Sequence, residues 1–162
     1  MSKTIVTKEI TFDCAHYLPD YSGDCKNIHG HTYKLQVSVS RRNFKAERDN
    51  MLIDFKSLSG IIKDKIGNCL DHAFITFQPP PQILPQEDCG DRQRPEPKNL
   101  YAFLDEMPID FKTYEMSVPS TAENLVEEIY RLLFQDIENL GCYIYKITLW
   151  ETPTSFAEVF FE

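Results

Sequence analysis

Within sixteen residues this chain places His16, Cys25, His29 and His31, and farther along Asp71 and His72 stand side by side. Imidazoles and a thiol are the donor groups of a transition-metal site, and also the groups that move protons near neutral pH. His29-Gly30-His31 on a strand would point both rings the same way. A lone His-x-His often means two surface or core histidines. A third histidine, His16, at matching parity across a hairpin makes a metal site the stronger reading. Three imidazoles leave a coordination position open for water or a substrate oxygen, as in catalytic zinc sites. Zinc suits such ligands best, and nickel, iron and copper accept them too. Gly30 allows backbone or substrate to come close.

Cys25 lies four residues before His29 and has two competing roles. It could be a fourth ligand that closes a structural site, or an unligated thiolate acting as base or nucleophile, favoured by Lys26 and by a metal. Asp71 could orient His72 and raise its basicity. The alternative for His72 is an interaction with a helix C-terminus. Glu151 follows Ile147 and Leu149 on a core-face parity. It either turns outward at the strand end or is satisfied by a ligand. A carboxylate takes two hydrogen bonds at once from a flat N–H/NH2 edge, such as a pterin or guanine ring presents. Cys14 has core parity and reads as a small buried hydrophobe. Cys69, Cys89 and Cys142 have no chemical neighbours in the sequence.

The elements that must position these residues are legible as patterns. Residues 4–16 and 29–39 alternate apolar and polar positions, with Lys8 out of phase, which predicts two half-buried strands. Tyr17 to Ile28 is short enough for a hairpin loop, so the two strands should be antiparallel neighbours with their histidines at one rim. Asp54 should cap a helix with Phe55, Leu58, Ile62 and Ile66 as its apolar stripe, stopped by Gly67-Asn68. Residues 77–97 hold six of the ten prolines and predict an irregular excursion. A short helix at 99–106 and a short strand at 111–118 follow. Ser120-Thr121-Ala122-Glu123 predicts a capping box, with Leu125, Ile129, Leu132 and Leu133 as the buried face of the next helix and Gly141 beyond it. Residues 143–151 alternate, with Tyr143, Tyr145, Ile147, Leu149 and Glu151 on one side, and Phe156 to Phe161 forms a last strand. The order predicts an α+β fold: an antiparallel sheet with two helices on one face.

The chain has 162 residues, enough for a single domain with its own core. Its net charge of -8 argues against a polynucleotide partner, although a small phosphorylated substrate needs only a local positive site. No membrane span and no signal-peptide core is visible. Five irregularly spaced cysteines argue against a disulfide framework, so a reducing cytoplasm is expected.

A set of motifs in fixed order carries a resemblance. Phe12-Asp13-Cys14-Ala15-His16, Cys25-Lys26-Asn27-Ile28-His29-Gly30-His31, Leu52-Ile53-Asp54-Phe55, Leu70-Asp71-His72, Ser120-Thr121-Ala122-Glu123-Asn124 and Trp150-Glu151-Thr152 are similar to the 6-pyruvoyltetrahydropterin and 6-carboxytetrahydropterin synthases. The similarity covers about residues 8–76 and 118–158. It implies a T-fold: a four-stranded antiparallel sheet with two helices on one face, three subunits closing into a barrel and two barrels stacking as a hexamer. It implies zinc on His16, His29 and His31, with Cys25 as the catalytic thiol and Asp71 and His72 as its proton-transfer partners from a neighbouring chain. It makes Glu151 the pterin anchor, helped by Thr121; Ala122 stands where some members carry a second hydroxyl. Against that pattern the Pro-rich segment at 77–117 is an insertion.

The implied substrate is 7,8-dihydroneopterin triphosphate. In the carboxy branch, expected here from the compact Cys-to-His loop and the Trp-Glu-Thr-Pro-Thr-Ser ending, the products are 6-carboxytetrahydropterin, acetaldehyde and triphosphate, toward queuosine and other 7-deazaguanines. In the pyruvoyl branch the side chain is retained, toward tetrahydrobiopterin. Two other readings of the residues are a three-histidine zinc hydrolase or hydratase and a structural zinc module closed by Cys25.

Overall fold

The computed structural model describes residues 3–18, 21–77, 82–83, 98–99, 106 and 110–161. The first two predicted strands form β1 (Val6–His16) and β2 (His29–Ser40), joined through a short 3-10 turn at Asp24–Lys26. They are antiparallel in unbroken register from Val6↔Val39 to His16↔His29. A short α1 (Ala46–Asp49), not foreseen in the sequence, leads to α2 (Phe55–Cys69), and β3 (Ala73–Phe77) follows. A two-stranded ribbon pairs β4 (Gln82–Ile83) with β5 (Lys98–Asn99). The chain then returns as β6 (Thr113–Met116), α3 (Ala122–Asn139), β7 (Tyr143–Thr152) and β8 (Ser155–Phe160). The helix expected at 99–106 lies almost wholly outside the described residues.

The principal sheet has six strands in the order β6-β3-β1-β2-β7-β8. The β1, β2, β7 and β8 pairings are antiparallel, whereas β3 runs parallel to both β1 and β6. The expectation of a four-stranded antiparallel sheet is therefore corrected to a six-stranded mixed one. The strand missed, β3, is buried along four of its five residues, so it lacks the alternation that reveals a half-exposed strand.

The core lies between one face of this sheet and the two long helices. Phe12, Cys14, Tyr33, Leu35, Val37, Ile147 and Leu149 from the sheet join Leu58, Ile62, Ile66, Leu125, Ile129, Leu133 and Ile137 from the helices in one cluster. Each fully buried Leu or Ile side chain contributes roughly 1.5–3 kcal/mol relative to exposure. Phe55, expected on the buried stripe of α2, is 60% exposed; it is the first helical residue and projects beyond the sheet-facing turn.

Three boundaries differ from the patterns. Asp54 caps α2, its carboxylate accepting from Ser57 N–H at 3.2 Å, but the helix runs through Gly67-Asn68 to Cys69, where tertiary contacts described below hold its last turn. The N-cap of α3 is Thr121, one residue later than the predicted box, because Ser120 is drawn into the core by another contact. A register shift between Ser38 and Val39 turns both Ile144 and Ile147 inward, so Tyr143 and Tyr145 stay only partly buried. Gly141, at φ +72, reverses the chain after α3, as the left-handed region requires. Cys14, Cys25, Cys69 and Cys142 are free thiols; Cys89 lies outside the described residues. Among the described residues no helix is long and apolar enough to cross a membrane.

Candidate metal centre and its surroundings

The hairpin register decides how the histidines meet. His16 pairs directly with His29, and Cys14 with His31. Since alternate residues face one side, all three imidazoles project onto the core face at the loop end of the β1–β2 hairpin. Ring centroids are 4.5 Å apart for His16–His29, 5.2 Å for His16–His31 and 5.0 Å for His29–His31. One nitrogen from each lies within 4.8 Å of the other two. Gly30 sits between the two ligands on β2, and a Cβ there would come within 3.2 Å of the Cys14 carbonyl oxygen.

The outer nitrogens are already committed. His16 Nδ1 lies 2.9 Å from the Ser120 carbonyl oxygen, and His29 Nδ1 lies 2.8 Å from that of Asn27. A carbonyl only accepts, so each Nδ1 carries its proton and each Nε2 keeps its lone pair free. His31 Nε2 is buried without a hydrogen-bond partner. Burial pushes His16 and His31 below the ordinary histidine range; the Ser120 carbonyl and Glu151 oppose this for His16, and Glu151 for His31, without overcoming it. Three imidazoles with nitrogens this close, one of them buried without a partner, are a donor set that suits a divalent transition ion.

Two groups stand beside this cluster. Glu151, at the end of β7, has Oε1 3.6 Å from His16 Nε2 and 3.7 Å from His31 Nε2. The Tyr33 hydroxyl donates to the same oxygen at 3.3 Å and lies 3.5 Å from His16 Nε2. Tyr33 is fully buried, stacked on Phe12 at 5.3 Å, and burial drives its hydroxyl strongly toward the protonated, donating form. Glu151 is thus neither turned outward nor left without a partner. Cys25 sits half-buried in the 3-10 turn, whose position is fixed by Leu18 N–H donating to the Cys25 carbonyl at 2.8 Å. Its sulfur is not part of the compact donor set. Cys14, in contrast, is buried, and desolvation first, then the charges of Asp13, Asp71 and Glu151, push its thiol up to about 12.

Asp71 and His72 occupy the turn between α2 and β3. His72 Nδ1 is 3.0 Å from Asp71 Oδ1, which also accepts from Asp13 N–H at 3.0 Å. Partial burial works to raise the Asp71 pKa, but the Asp13 N–H, His72 and Lys112 hold it below the usual carboxylate value. Donor atoms of Asp13, Asp71 and His72 lie within 4.8 Å of one another, and Thr32 Oγ1 donates to the Asp13 carboxylate. Asp13 and Thr32 have the parity opposite to His16 and His31. The Asp71–His72 pair therefore lies on the other face of the sheet from the three histidines of its own chain. All four histidines gather at one end of the sheet, but the structure brings only three together. His72 is also left-handed, at φ +59, a conformation that costs a non-glycine residue about 1 kcal/mol and is tolerated best by Asn, Asp and His.

Thr121 caps α3, its Oγ1 accepting from Asn124 N–H at 3.4 Å, which leaves its O–H free to donate. Three contributors were not singled out in the sequence for this site: Tyr33, Ser120 and Lys112. Tyr33 could have been found, since a tyrosine on a core-face parity two residues past His31 needs a polar partner for its hydroxyl. Ser120 acts through its backbone carbonyl, and Lys112 through a contact across the fold, so neither carries a local signal.

The profile of the family described as 6-pyruvoyl tetrahydropterin synthase matches residues 5–162. The chain belongs to this family. A 6-carboxy-5,6,7,8-tetrahydropterin synthase of Haemophilus influenzae is 37% identical over 154 residues, covering 94% of this chain and 96% of the relative. A protein of the same name from Aquifex aeolicus is 32% identical over 141 residues, covering 83% and 74%. Among solved structures, the 6-pyruvoyl tetrahydropterin synthase of Plasmodium falciparum superposes with a TM-score of 0.65 over 98% of both chains at 21% identity, a likeness of fold.

Proposed function

We propose that the chain is a zinc-dependent 6-carboxy-5,6,7,8-tetrahydropterin synthase, converting 7,8-dihydroneopterin triphosphate and water to 6-carboxytetrahydropterin, acetaldehyde and triphosphate. The observation that carries this reading is the convergence of three imidazoles beside the Glu151 carboxylate, a group suited to anchoring a pterin edge. The carboxy product is favoured by the names of the curated relatives at 37% and 32% identity.

His16, His29 and His31 would hold zinc, and the chemistry it would supply there is that of a Lewis acid toward substrate hydroxyls. Glu151 takes the paired N–H donors of the pterin ring, oriented by the Tyr33 hydroxyl, while the Thr121 O–H is free to donate to the ring. Cys25 acts as the base that removes a side-chain proton. The Asp71–His72 pair returns protons, with Asp71 fixing the imidazole through Nδ1. Because that pair lies on the opposite face from its own chain's histidines, it would serve a site completed by a neighbouring subunit. The outer edge of β8 pairs with no strand among the described residues, and β1 meets β3 only at Cys14 and Ala15, which leaves edges suited to closing a barrel of trimers. The acidic charge, the free thiols and the small substrate fit a cytoplasmic enzyme with no nucleic-acid partner.

The test is incubation of the purified zinc-loaded protein with 7,8-dihydroneopterin triphosphate, with products identified by mass. Acetaldehyde and 6-carboxytetrahydropterin are expected. A retained pyruvoyl side chain would assign the tetrahydrobiopterin branch instead. Cys25→Ala should abolish turnover while keeping zinc; a variant that stays active points to a hydrolase.

A further inference from the structure

We infer that Lys112 is a positioning residue for the Asp71–His72 pair, clamping the peptide between them so that His72 keeps its left-handed conformation. The inference rests on the reading of that pair as the proton-transfer group.

The peptide plane between Asp71 and His72 is held from both sides. Its carbonyl, Asp71 O, accepts from Lys112 Nζ at 2.7 Å, and its N–H, that of His72, donates to Asp13 O at 2.6 Å. Flipping this plane would relieve the positive φ of His72, and both bonds oppose the flip. The same ammonium takes the Gly67 carbonyl at 2.6 Å, at the C-terminal end of α2, where a cation is favoured by the unpaired carbonyls. The Lys112 backbone carbonyl accepts from Phe74 N–H at 2.8 Å. One residue thus binds the last turn of α2, the carbonyl just before His72 and the first part of β3. The return of the Pro-rich excursion is therefore built into the placement of the pair. Without the ammonium, the peptide can turn, and the imidazole leaves the Asp71 oxygen that fixes its tautomer.

A lysine that only capped α2 would lower stability and leave turnover per folded molecule unchanged. Lys112→Met in the zinc-loaded enzyme separates the two. With 7,8-dihydroneopterin triphosphate we expect kcat to fall by about ten- to a hundredfold, with KM within about twofold. Zinc content should match that of the unaltered enzyme. The His72 imidazole NMR signal, identified by its loss in His72→Ala, should shift or broaden while those of His16, His29 and His31 stay in place. Lys112→Arg should recover most of kcat. Unchanged kcat in Lys112→Met, or an unmoved His72 signal, overturns the assignment. If Lys112→Met does not fold, Lys112→Leu, which also lacks the donor, is read by the same criteria. His72→Ala at full kcat would bring down the reading of the pair itself, a result distinct from an unmoved signal in the Lys112 variant.

Discussion

The proton on His16 Nδ1 is fixed by the Ser120 carbonyl oxygen 2.9 Å away, a contact between residues 104 apart in sequence. It ties the entrance of α3 to the end of β1 and decides which nitrogen of His16 is left to face the other two imidazoles. The side chain of Ser120 adds a weaker contact at 3.2 Å. Ser120→Ala should therefore change zinc affinity by no more than about threefold, since the carbonyl remains, whereas His16→Gln should lower it by about a hundredfold or more. Competition against a chromogenic chelator measures both. A large loss in Ser120→Ala would mean that the hydroxyl, not the carbonyl, sets the tautomer.

The stability of the metal-free protein should depend on pH through His16 and His31. Both have folded pKa values lowered from 6.5. As pH falls through the unfolded value, the unfolded chain takes up protons that the native state resists, so stability is lost. The loss continues until pH passes the lowered folded values and then levels off. Thermal scans of the apoprotein should thus show Tm falling from about pH 7 toward about pH 5. A Tm independent of pH across that window contradicts the burial of these rings.

Tyr33→Phe keeps the ring that stacks on Phe12 and removes the donor to Glu151. A hydrogen bond to a carboxylate at this length is worth about 1–1.5 kcal/mol, so KM should rise by about tenfold. Tm should change little. An unaltered KM would show that the hydroxyl has no part in orienting the anchor.

Metal removal separates a catalytic ion from a structural one. The hydrophobic cluster between sheet and helices is complete without the three imidazoles. A chelated sample should lose turnover and retain its far-UV circular dichroism, with Tm lower by the linkage expected of a ligand that binds only the native state. Collapse of the dichroism on chelation would favour a structural zinc module.

The three-histidine cluster was largely legible in the sequence because it is built on the simplest periodicity a chain can have. Alternation fixed the faces of His16, His29 and His31, and a short connection fixed their pairing. The helix stripes around Leu58, Ile62 and Ile66 and around Leu125, Ile129 and Leu133 were readable for the same reason. β3 was not, because burial on both faces erases alternation. The inward turn of Ile144 was hidden by a bulge, which shifts parity without leaving a mark in composition. Ser120 and Lys112 act through contacts across the fold, and such contacts have no local period. The pairing of Asp71 with His72 was visible as adjacency, but its face was set by Asp13, 58 residues earlier.

The absence of a side chain at Gly30 has a consequence for the spacing of the histidines. A Cβ there would lie 3.2 Å from the Cys14 carbonyl oxygen, so any larger residue would make the β1–β2 ladder give by a few tenths of an ångström. The frame on which the three rings are mounted is therefore the gap between two strands, a dimension far stiffer than a loop. Rotamers can trim the distances between the nitrogens, but the backbone beneath them holds its place.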